Sequence, residues 1–516
     1  MRASATLLLC LLAVAGVFAA PNKSALRSFF ELIDEDGNGM VTAAEIAAHW
    51  MRVEGDELLP HAQARLSSGL HKLVVSKHDA DDSGAMEWEE WQQAYGRLDK
   101  AEGLSGLHKR DSITSVQPQQ VRLATTTKPA TEMVIMWITS TLSTNPVAEF
   151  GLANSTLRQQ VSGTWTTYNA GVLGWSGHIH TVTLRNLQPA QTYNYRVGDP
   201  THNAWSPIHR FSTMDPHQTE VRIATFGDMG TVMPMGFEVT KQMIKDDADI
   251  NFQLIVHAGD IAYGGVSHEW EFEYIWDLWG EQVSPLGDHI PYMVAVGNHE
   301  KYYNFTSYKA RFNMPGHQSG GIDNFYHSFD YGGIHFVSIC TEVYAYPYER
   351  GSAQYAWLER DLAAANANRK NSPFIIVVGH RPMYSSDKSS DSGPLKRELE
   401  PLLNKYGVDL AIWGHMHSYE RTWPVFNNTP SVTTGNVFRN VNGTIHLTIG
   451  TAGAFSDEAW VEPSPVWSAK HIGTFEDVAY GYGYLHKLDN NRMRFQYRKW
   501  DTGKVWDEIW IERTTH

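Results

Sequence analysis

The sequence predicts a multidomain fold in which an α-helical segment precedes an all-β sandwich and an α/β domain of β sheets flanked by helices. The chain has 516 residues, which exceeds a single ordinary domain. Between residues 116 and 216, runs such as MVIMWIT and HTVTL are short alternating strands separated by turn residues, as in a sandwich. Farther along, buried-strand patterns alternate with amphipathic helices such as YAWLERDLAAANANR, which indicates α/β winding.

The first 20 residues have the pattern of a cleaved secretory signal peptide. Arg2 precedes the apolar run LLLCLLAVAGVF, and small residues surround Ala19 and Ala20. An uncleaved anchor is the alternative, but the run is short for a transmembrane span. The pattern therefore predicts a secreted or lumenal protein, where the lumen is that of a vacuole or a lysosome-like compartment.

The mature chain is expected to be a glycoprotein without an internal disulfide. Cleavage would remove Cys10 and leave Cys340, which lies in the strand-like run GIHFVSIC and is expected to be a buried, small apolar side chain. Asn-x-Ser/Thr tripeptides are compatible with glycosylation along the secretory route. They begin at Asn22, Asn154, Asn304, Asn427 and Asn442.

The composition is that of a globular protein, with 42% apolar and 19% charged residues. The net charge of −15 argues against nucleic acid or an anionic membrane as the main partner. No segment after the leader is long and apolar enough to span a membrane. A homodimer is left open.

Residues 21–100 carry the pattern Asp-x-Asp-x-Asn/Ser-Gly-x5-Glu twice, at 34–45 and 79–90. Oxygen ligands at positions 1, 3, 5 and 12, a backbone carbonyl at position 7 and a turn-forming glycine at position 6 suit Ca²⁺. Apolar residues at helical spacing flank both loops, so an α-helical EF-hand pair is predicted, followed by a linker at 101–115. A degenerate pair that packs without calcium is the alternative. The predicted calcium ligands are Asp34, Asp36, Asn38, Met40, Glu45, Asp79, Asp81, Ser83, Ala85 and Glu90.

Five short apolar runs in the α/β domain each end in a glycine followed by a side chain that can bind a metal. They read VRIATFGD, FQLIVHAGD, YMVAVGNH, FIIVVGH and VDLAIWGHMH. Such runs predict strands buried on both faces, and open α/β sheets bind ligands at the carboxyl ends of their strands. Since buried unpaired carboxylates are costly, a cation is required where these ends meet. The candidate ligands are Asp228, Asp260, Tyr263, Asn298, His380, His415 and His417.

The candidate ligands contain no thiolate, which favours iron, zinc or manganese over a thiolate-rich structural zinc site. Seven ligands are too many for one such ion but suit two ions that share Asp260. Two metals about 3.5–4 Å apart form a clamp for in-line displacement at phosphorus. The alternative is that each Gly-polar pair is an ordinary strand-end turn, but five such pairs in one chain favour a dinuclear site.

The motifs GDMG, GDIAY, GNHE, VVGH and GHMH resemble the five-block signature of the metallophosphoesterases. The tyrosine of GDIAY and the run GHMHSYERTWP narrow the resemblance to the large form of the purple acid phosphatases. It extends from about Val116 to the C-terminus. It implies a fibronectin-III-like N-terminal domain at 116–216, whose corner is the run LQPAQTYNYRV, and a catalytic domain at 217–516 with a C-terminal β segment at about 456–516.

The resemblance also implies roles for individual residues. Fe(III) would be held by Asp228, Asp260, Tyr263 and His417. A divalent Zn, Mn or Fe ion would be held by Asp260, Asn298, His380 and His415. Asp260 would bridge the two ions, and charge transfer from the tyrosinate to iron would give a purple colour.

His299 resembles the family histidine that contacts the phosphate or protonates the leaving group. The alternative is that it only hydrogen-bonds a metal ligand. One departure concerns the histidine pair that plant members carry several residues after the ligand matching His380. Here that segment reads RPMYSSDKSSDSG and contains no histidine. Tyr384, Ser385 and Ser386 are candidate substrate contacts in its place.

The expected function is that of a secreted acid phosphatase that hydrolyses phosphate monoesters by attack of a metal-bound hydroxide, with an N-terminal calcium-binding module. A phosphodiesterase or pyrophosphatase on the same site is one alternative. A calcium-binding surface protein with a vestigial phosphatase centre is another, which the intact ligand set disfavours. The natural substrate, the identity of the divalent ion and the choice between calcium gating and calcium stabilisation are left open.

Overall fold

The structure is a computed structural model that describes residues 116–514 and two short N-terminal strands, β1 (Met40–Thr42) and β2 (Ala85–Glu87). Gaps within the first range lie at 172–174, 232–234, 268–269, 272, 391, 455–459 and 474–479. The predicted signal peptide, the helices flanking the calcium loops, the linker, Asn22 and all calcium ligands except Met40 and Ala85 lie outside the described residues.

The first domain is a sandwich of two antiparallel sheets. One sheet has the order β3-β4-β8-β7, with β3 (Gln119–Ala124), β4 (Met133–Thr139), β7 (Thr164–Thr166) and β8 (His178–Leu184). The other has the order β10-β9-β5-β6 with β11 beside β9, and contains β5 (Val147–Leu152), β6 (Gln159–Ser162), β9 (Thr192–Asp199), β10 (Ala204–Trp205) and β11 (His209–Ser212). Alternate residues such as Ile135, Trp137 and Tyr195 point into the shared core.

The predicted corner of this sandwich is present. The backbone N–H of Gln188 donates to the hydroxyl of Tyr193 at 2.8 Å, which ties the crossover loop to β9. Tyr193 is itself buried in the core of the sandwich. The fibronectin-like fold expected from the sequence is therefore confirmed.

The second domain is built on two seven-stranded mixed sheets. The first sheet contains, in spatial order, β16 (Tyr292–Ala295), β13 (Leu254–Ala258), β12 (Val221–Phe226), β27 (Gly481–Lys487), β28 (Arg492–Lys499), β29 (Val505–Glu512) and β24 (Val437–Arg439). The second contains β17 (His327–Tyr331), β18 (Ile334–Ser338), β19 (Phe374–Val378), β20 (Leu410–Trp413), β25 (Ile445–Ile449), β21 (Tyr419–Thr422) and β26 (Ser468–Ile472). The C-terminal β segment thus supplies strands to both sheets.

The two sheets pack face to face around one hydrophobic core. A cavity of about 10 Å³ is lined by Val256 and Val294 of the first sheet and by Phe336 and Val378 of the second, so the inner faces meet there. Two further hairpins complete the strands: β14 (Gly265–Ser267) with β15 (Trp270–Glu271), and β22 (Val425–Phe426) with β23 (Thr429–Pro430).

Helices accompany the sheets, as the alternating sequence pattern predicts. They are α1 (Gly236–Ile250), α2 (Glu273–Gly287), α3 (Tyr302–Arg311), α4 (Ala353–Ala367) and α5 (Gly393–Lys405). In α4, the hydroxyl of Ser352 caps the first turn by accepting from the N–H of Tyr355 at 3.1 Å. Among the described helices, none combines the length and the apolar character that crossing a bilayer requires.

The sandwich is joined to the second domain through β3 and α2. The guanidinium of Arg122 on β3 lies between the rings of Trp279 and Phe312, with its carbon 4.9 and 4.8 Å from the ring centroids. Its Nη2 also donates to the backbone carbonyl of Arg311 at 2.6 Å. Arg122 is buried, and these contacts hold the sandwich against α2, whose Trp279 packs against Tyr292 of β16.

Candidate metal centre

All seven candidate ligands follow strands whose carboxyl ends lie at one edge of the two sheets. Strands β12, β13 and β16 run parallel in the first sheet, and β19 and β20 run parallel in the second. Parallel strands bring their carboxyl ends to the same side. The residues that follow these five strands are Asp228, Asp260 with Tyr263, Asn298, His380, and His415 with His417.

Three of the other candidate side chains converge on the hydroxyl of Tyr263. Its oxygen lies 2.9 Å from Nε2 of His417, 3.2 Å from Oδ1 of Asp228 and 3.4 Å from Oδ2 of Asp260. Nε2 of His417 is in turn 3.5 Å from Oδ1 of Asp228. All four residues are buried. These four residues are the group that the family resemblance implies for Fe(III).

A second group of side chains converges on the same oxygen of Asp260. Nε2 of His380 lies 3.1 Å from Oδ2 of Asp260 and 3.0 Å from Oδ1 of Asn298. Asp260, His380 and His415 each offer one ligand atom, and the three atoms lie within 4.8 Å of one another. The two groups therefore share Asp260, as a bridging carboxylate requires.

Several of the ligands have a backbone conformation that non-glycine residues rarely adopt. The φ angles are +59° at Asp228, +50° at Asp260, +54° at Tyr263 and +70° at His415. Such conformations cost about 1–3 kcal/mol each and persist only where the surrounding structure enforces them. Their concentration at one group of side chains supports a functional role for that group.

The glycines before the ligands permit close approach of the two halves of the site. A Cβ on Gly414 would collide with Oδ2 of Asp228, and a Cβ on Gly297 would collide with Oδ1 of Asp260. At Gly297 the φ angle is −118°, which any residue can adopt. Glycine is therefore needed at position 297 because a Cβ would not fit, and not because of the backbone conformation.

Backbone groups orient the ligand atoms. Oδ1 of Asp260 accepts from the N–H of His299 at 2.9 Å, which leaves Oδ2 for the metals. Oδ2 of Asp228 accepts from the N–H of His415 at 2.8 Å. Nδ1 of His380 lies 2.9 Å from the carbonyl of Ala258, so it donates there and leaves Nε2 as the ligand atom.

Glu300 belongs to the site, although the sequence analysis did not select it. This buried carboxylate accepts from the N–H groups of Gly297 at 2.7 Å, Asp260 at 2.9 Å and Ile261 at 2.8 Å. Burial raises the pKa of Glu300 to about 7. It ties the loop after β13 to the loop after β16. In the sequence, the feature that could have pointed to Glu300 is its position directly after Asn298 and His299.

Without bound cations, the pKa values of several buried ligands are shifted away from their usual values. Burial raises the pKa of Asp228. Burial also opposes ionisation of Asp260, but the neighbouring His380 and His299 hold the pKa of its carboxyl below the usual range. Burial would lower the pKa of His380, yet Asp260 and Asp228 raise it to about 10. His380 thus carries a proton where a metal ligand must be neutral.

Bound cations would take the place of that proton and neutralise the two carboxylates. Carboxylate, phenol, amide and imidazole donors suit hard and borderline ions. The donor set and its two overlapping groups therefore fit two such ions.

His299 lies at the edge of the centre. Its ring centroid is 4.4 Å from that of Tyr263, and its Nε2 is 3.9 Å from Oδ2 of Asp260. Only 5% of the residue is exposed. This position is compatible with contact to a substrate at the metals, and the role of His299 stays a prediction.

The candidate contacts after His380 have other partners. The hydroxyl of buried Tyr384 donates to Glu400, and that of buried Ser386 donates to Glu420 at 2.5 Å. The Oγ of Ser385 accepts from the N–H of Asp387 at 3.1 Å. These bonds engage the three hydroxyl groups within the protein, and substrate contact by these residues stays a prediction.

Two other predictions concern residues away from the centre. Cys340 is buried, as expected, and its burial raises the pKa of the thiol. The described sequon asparagines are all exposed, and their glycosylation stays a prediction. They are Asn154, Asn304, Asn427 and Asn442.

Family models match three consecutive parts of the chain. The purple acid phosphatase N-terminal domain matches residues 118–213. The calcineurin-like phosphoesterase model matches residues 221–419. The model of the iron/zinc purple acid phosphatase-like protein C matches residues 443–508. The matched regions correspond to the sandwich, the ligand-bearing part of the second domain and its C-terminal strands.

Individual proteins are similar over most of the chain. Acid phosphatase type 7 of Mus musculus is 34% identical over 436 residues, which are 80% of this chain and 94% of that protein. The Homo sapiens protein of the same name is 35% identical over 425 residues, with 77% and 92% covered. The structure of purple acid phosphatase PPD1 from yellow lupin (Lupinus luteus) seeds is 28% identical, with a TM-score of 0.68 and coverage of 77% and 74%.

Proposed function

Because this chain belongs to the purple acid phosphatases within the metallophosphoesterases, we propose that it is a secreted acid phosphatase that hydrolyses phosphate monoesters at a dinuclear metal centre. The observation that carries this proposal is the shared oxygen of Asp260. Its Oδ2 lies 3.4 Å from the hydroxyl of Tyr263 and 3.1 Å from Nε2 of His380.

The two groups of side chains suit different ions. Asp228, Asp260, Tyr263 and His417 would hold Fe(III), since phenolate and carboxylate are hard donors. Asp260, Asn298, His380 and His415 would hold a divalent Zn, Mn or Fe ion. When bound, such a pair supplies Lewis-acid polarisation of the phosphoryl group and a nucleophile derived from water.

The chain itself contributes positioning and proton transfer. His299, whose backbone N–H holds Oδ1 of Asp260, is proposed to donate a proton to the leaving oxygen of the ester. Glu300 holds the loops that carry Asp260 and Asn298 through its bonds to backbone N–H groups. Five of the seven ligands are buried, which limits their contact with bulk water and strengthens the interactions of the centre with a charged substrate.

Hydrolysis of p-nitrophenyl phosphate between pH 4 and pH 8, by protein secreted from a eukaryotic host, tests this function. We expect turnover with an acidic optimum and about two metal ions per chain, of which one is iron. Faster turnover of bis(p-nitrophenyl) phosphate would instead identify a diesterase. Protein that contains no metal and hydrolyses neither ester would contradict the proposal.

An N-terminal calcium module is the second part of the proposal. Strands β1 and β2 pair antiparallel, with Met40 opposite Glu87, Val41 opposite Met86 and Thr42 opposite Ala85. In each candidate loop these residues occupy positions 7 to 9, so the pairing is symmetric about position 8. This register places positions 7 to 9 of the two candidate loops beside each other, which supports a pair of equivalent loops.

The charge of the two loops suits Ca²⁺, because each has three acidic residues at ligand positions 1, 3 and 12. Extracellular calcium modules have dissociation constants of about 10⁻⁴–10⁻³ M. In a secreted protein the loops would then be occupied constitutively, which favours a stabilising role. Secretion itself is tested by N-terminal sequencing of the mature protein, which we expect to begin close to residue 21.

A further inference from the structure

Arg381 lies beside the metal centre and was not among the candidate substrate contacts. It directly follows His380, and its Nη1 is 2.9 Å from Nε2 of His415. Its backbone N–H donates to the hydroxyl of Thr341 at 2.9 Å. The guanidinium therefore lies at the side of the centre where the divalent ion is expected.

A buried carboxylate holds this guanidinium in place. Nε of Arg381 lies 3.1 Å from both carboxylate oxygens of Glu342. The Glu342 side chain is fully buried, whereas 34% of the Arg381 side chain is exposed. A buried carboxylate requires a positive partner, so Glu342 restricts the arginine to one orientation. Nη1 is then directed at His415 in the centre, and part of the side chain stays accessible to a ligand.

We propose that Arg381, oriented by Glu342, binds the phosphoryl oxygens of the substrate in this protein. The planar guanidinium offers several N–H donors in a geometry that matches phosphate oxygens. Tyr384 and Ser386, which follow in the same segment, are buried and bonded elsewhere. This inference rests on the proposed phosphate-ester chemistry, and it assigns phosphate recognition to an arginine in a chain that lacks the histidine pair expected from the resemblance to plant members of the family.

The experiment compares the metal-loaded wild type with Arg381→Ala, Arg381→Lys and Glu342→Gln. Arg397→Ala is the matched control, because Arg397 is exposed on α5 and pairs with its neighbour Glu398. Isothermal titration calorimetry measures binding of inorganic phosphate, and elemental analysis measures bound metal. Steady-state kinetics with p-nitrophenyl phosphate separates KM from kcat.

Arg381→Ala should weaken phosphate binding by about tenfold or more and raise KM by a similar factor, because a charge-assisted hydrogen bond is lost. Metal content should equal that of the wild type. The phosphate affinity and the KM of Arg381→Lys should lie between those of the wild type and Arg381→Ala. Lysine keeps the positive charge but lacks the planar guanidinium with its several N–H donors. Glu342→Gln alters only the positioning residue and should change phosphate affinity and KM less than Arg381→Ala does. Arg397→Ala should leave both quantities unchanged.

Unchanged phosphate affinity in Arg381→Ala would overturn the inference. So would a loss of metal in that variant, which would mean that Arg381 supports His415 rather than substrate. A wild type that binds phosphate through Arg381 but hydrolyses no ester would contradict the proposed function and leave this inference standing. A wild type that hydrolyses p-nitrophenyl phosphate but binds no inorganic phosphate would overturn this inference and leave the proposed function standing.

Discussion

Oδ2 of Asp260 lies 3.1 Å from Nε2 of His380, although the two residues follow strands of different sheets. Asp260 follows β13 of the first sheet, and His380 follows β19 of the second. Their contact is therefore made across the sandwich, at the edge where both sets of carboxyl ends emerge. A cation bound between them would connect the two halves of the domain.

Asp260→Asn should remove both metals, because this side chain belongs to both ligand groups. We expect phosphatase activity to fall by more than about 100-fold. Altering a residue that only supports a metal ligand lowers activity by up to about 100-fold, and the loss of a ligand should exceed that. Elemental analysis and p-nitrophenyl phosphate hydrolysis measure the two losses. Asp501→Asn, at an exposed turn, is the control and should behave as the wild type. Full metal content in Asp260→Asn would contradict the bridging role.

Tyr263→Phe should abolish the visible absorption band that a tyrosinate bound to Fe(III) produces. The substitution removes the oxygen that lies 2.9 Å from Nε2 of His417 and keeps the ring. Visible spectroscopy of the iron-loaded protein is the measurement. The control is Tyr331→Phe, which removes a hydroxyl that donates to the carbonyl of Gln253 at 2.8 Å, away from the centre. A band of equal intensity in both variants would exclude Tyr263 as the iron ligand.

Glu300→Gln should destabilise the loops that carry Asp260 and Asn298. The carboxylate accepts from three backbone N–H groups, and an amide nitrogen cannot replace an acceptor oxygen. An unsatisfied buried donor costs about 1–3 kcal/mol. Thermal unfolding should show this loss, and metal affinity should fall with it. Glu349→Gln, at an exposed position, should leave both quantities unchanged; equal behaviour of the two variants would argue against a supporting role.

His335 should make the stability of the protein depend on pH above neutrality. Burial would lower its pKa, but hydrogen bonds to Asp330 and Asp361 at 2.9 Å raise it to about 9. The unfolded value is about 6.5. Because the folded pKa is the higher one, the stabilisation is complete below about pH 6.5 and is lost as pH rises toward 9. The effect amounts to at most about 3 kcal/mol.

Thermal unfolding of the wild type and of Asp361→Asn at pH 6 and pH 9 measures this contribution. The asparagine can still accept from Ser328, whose hydroxyl bonds Oδ1 of Asp361 at 2.6 Å, while the charge is lost. We expect the variant to show a smaller decrease in Tm between the two pH values. An equal decrease would assign the pH dependence to other groups.

Glu45→Gln combined with Glu90→Gln should weaken calcium binding by at least about tenfold, because each removes a charged ligand at position 12. Calorimetry with Ca²⁺ tests this prediction. Glu54→Gln combined with Glu57→Gln removes the same charge outside the loops and should bind calcium normally. Phosphatase activity should stay unchanged if calcium only stabilises the segment, and a fall in turnover would indicate gating.

The types and order of the candidate ligands were predictable because each one follows the end of a buried strand by two to five residues. The run LQPAQTYNYRV likewise predicted the sandwich corner, and the structure shows that its tyrosine is Tyr193, whose hydroxyl bonds a residue only five positions away. Neither prediction needed knowledge of which sheet a strand joins. Local spacing therefore determined which side chains are available and the approximate order in which they appear.

Only the tertiary structure decided how those side chains meet. The sharing of Oδ2 of Asp260 depends on two sheets packing face to face, which no local pattern specifies. Glu300 and the Arg381–Glu342 pair are recognised as parts of the site only in the folded structure. There each carboxylate is buried and depends on particular hydrogen-bond donors. The positive φ angles at Asp228 and His415 are likewise held by distant neighbours, since an isolated chain would relax them.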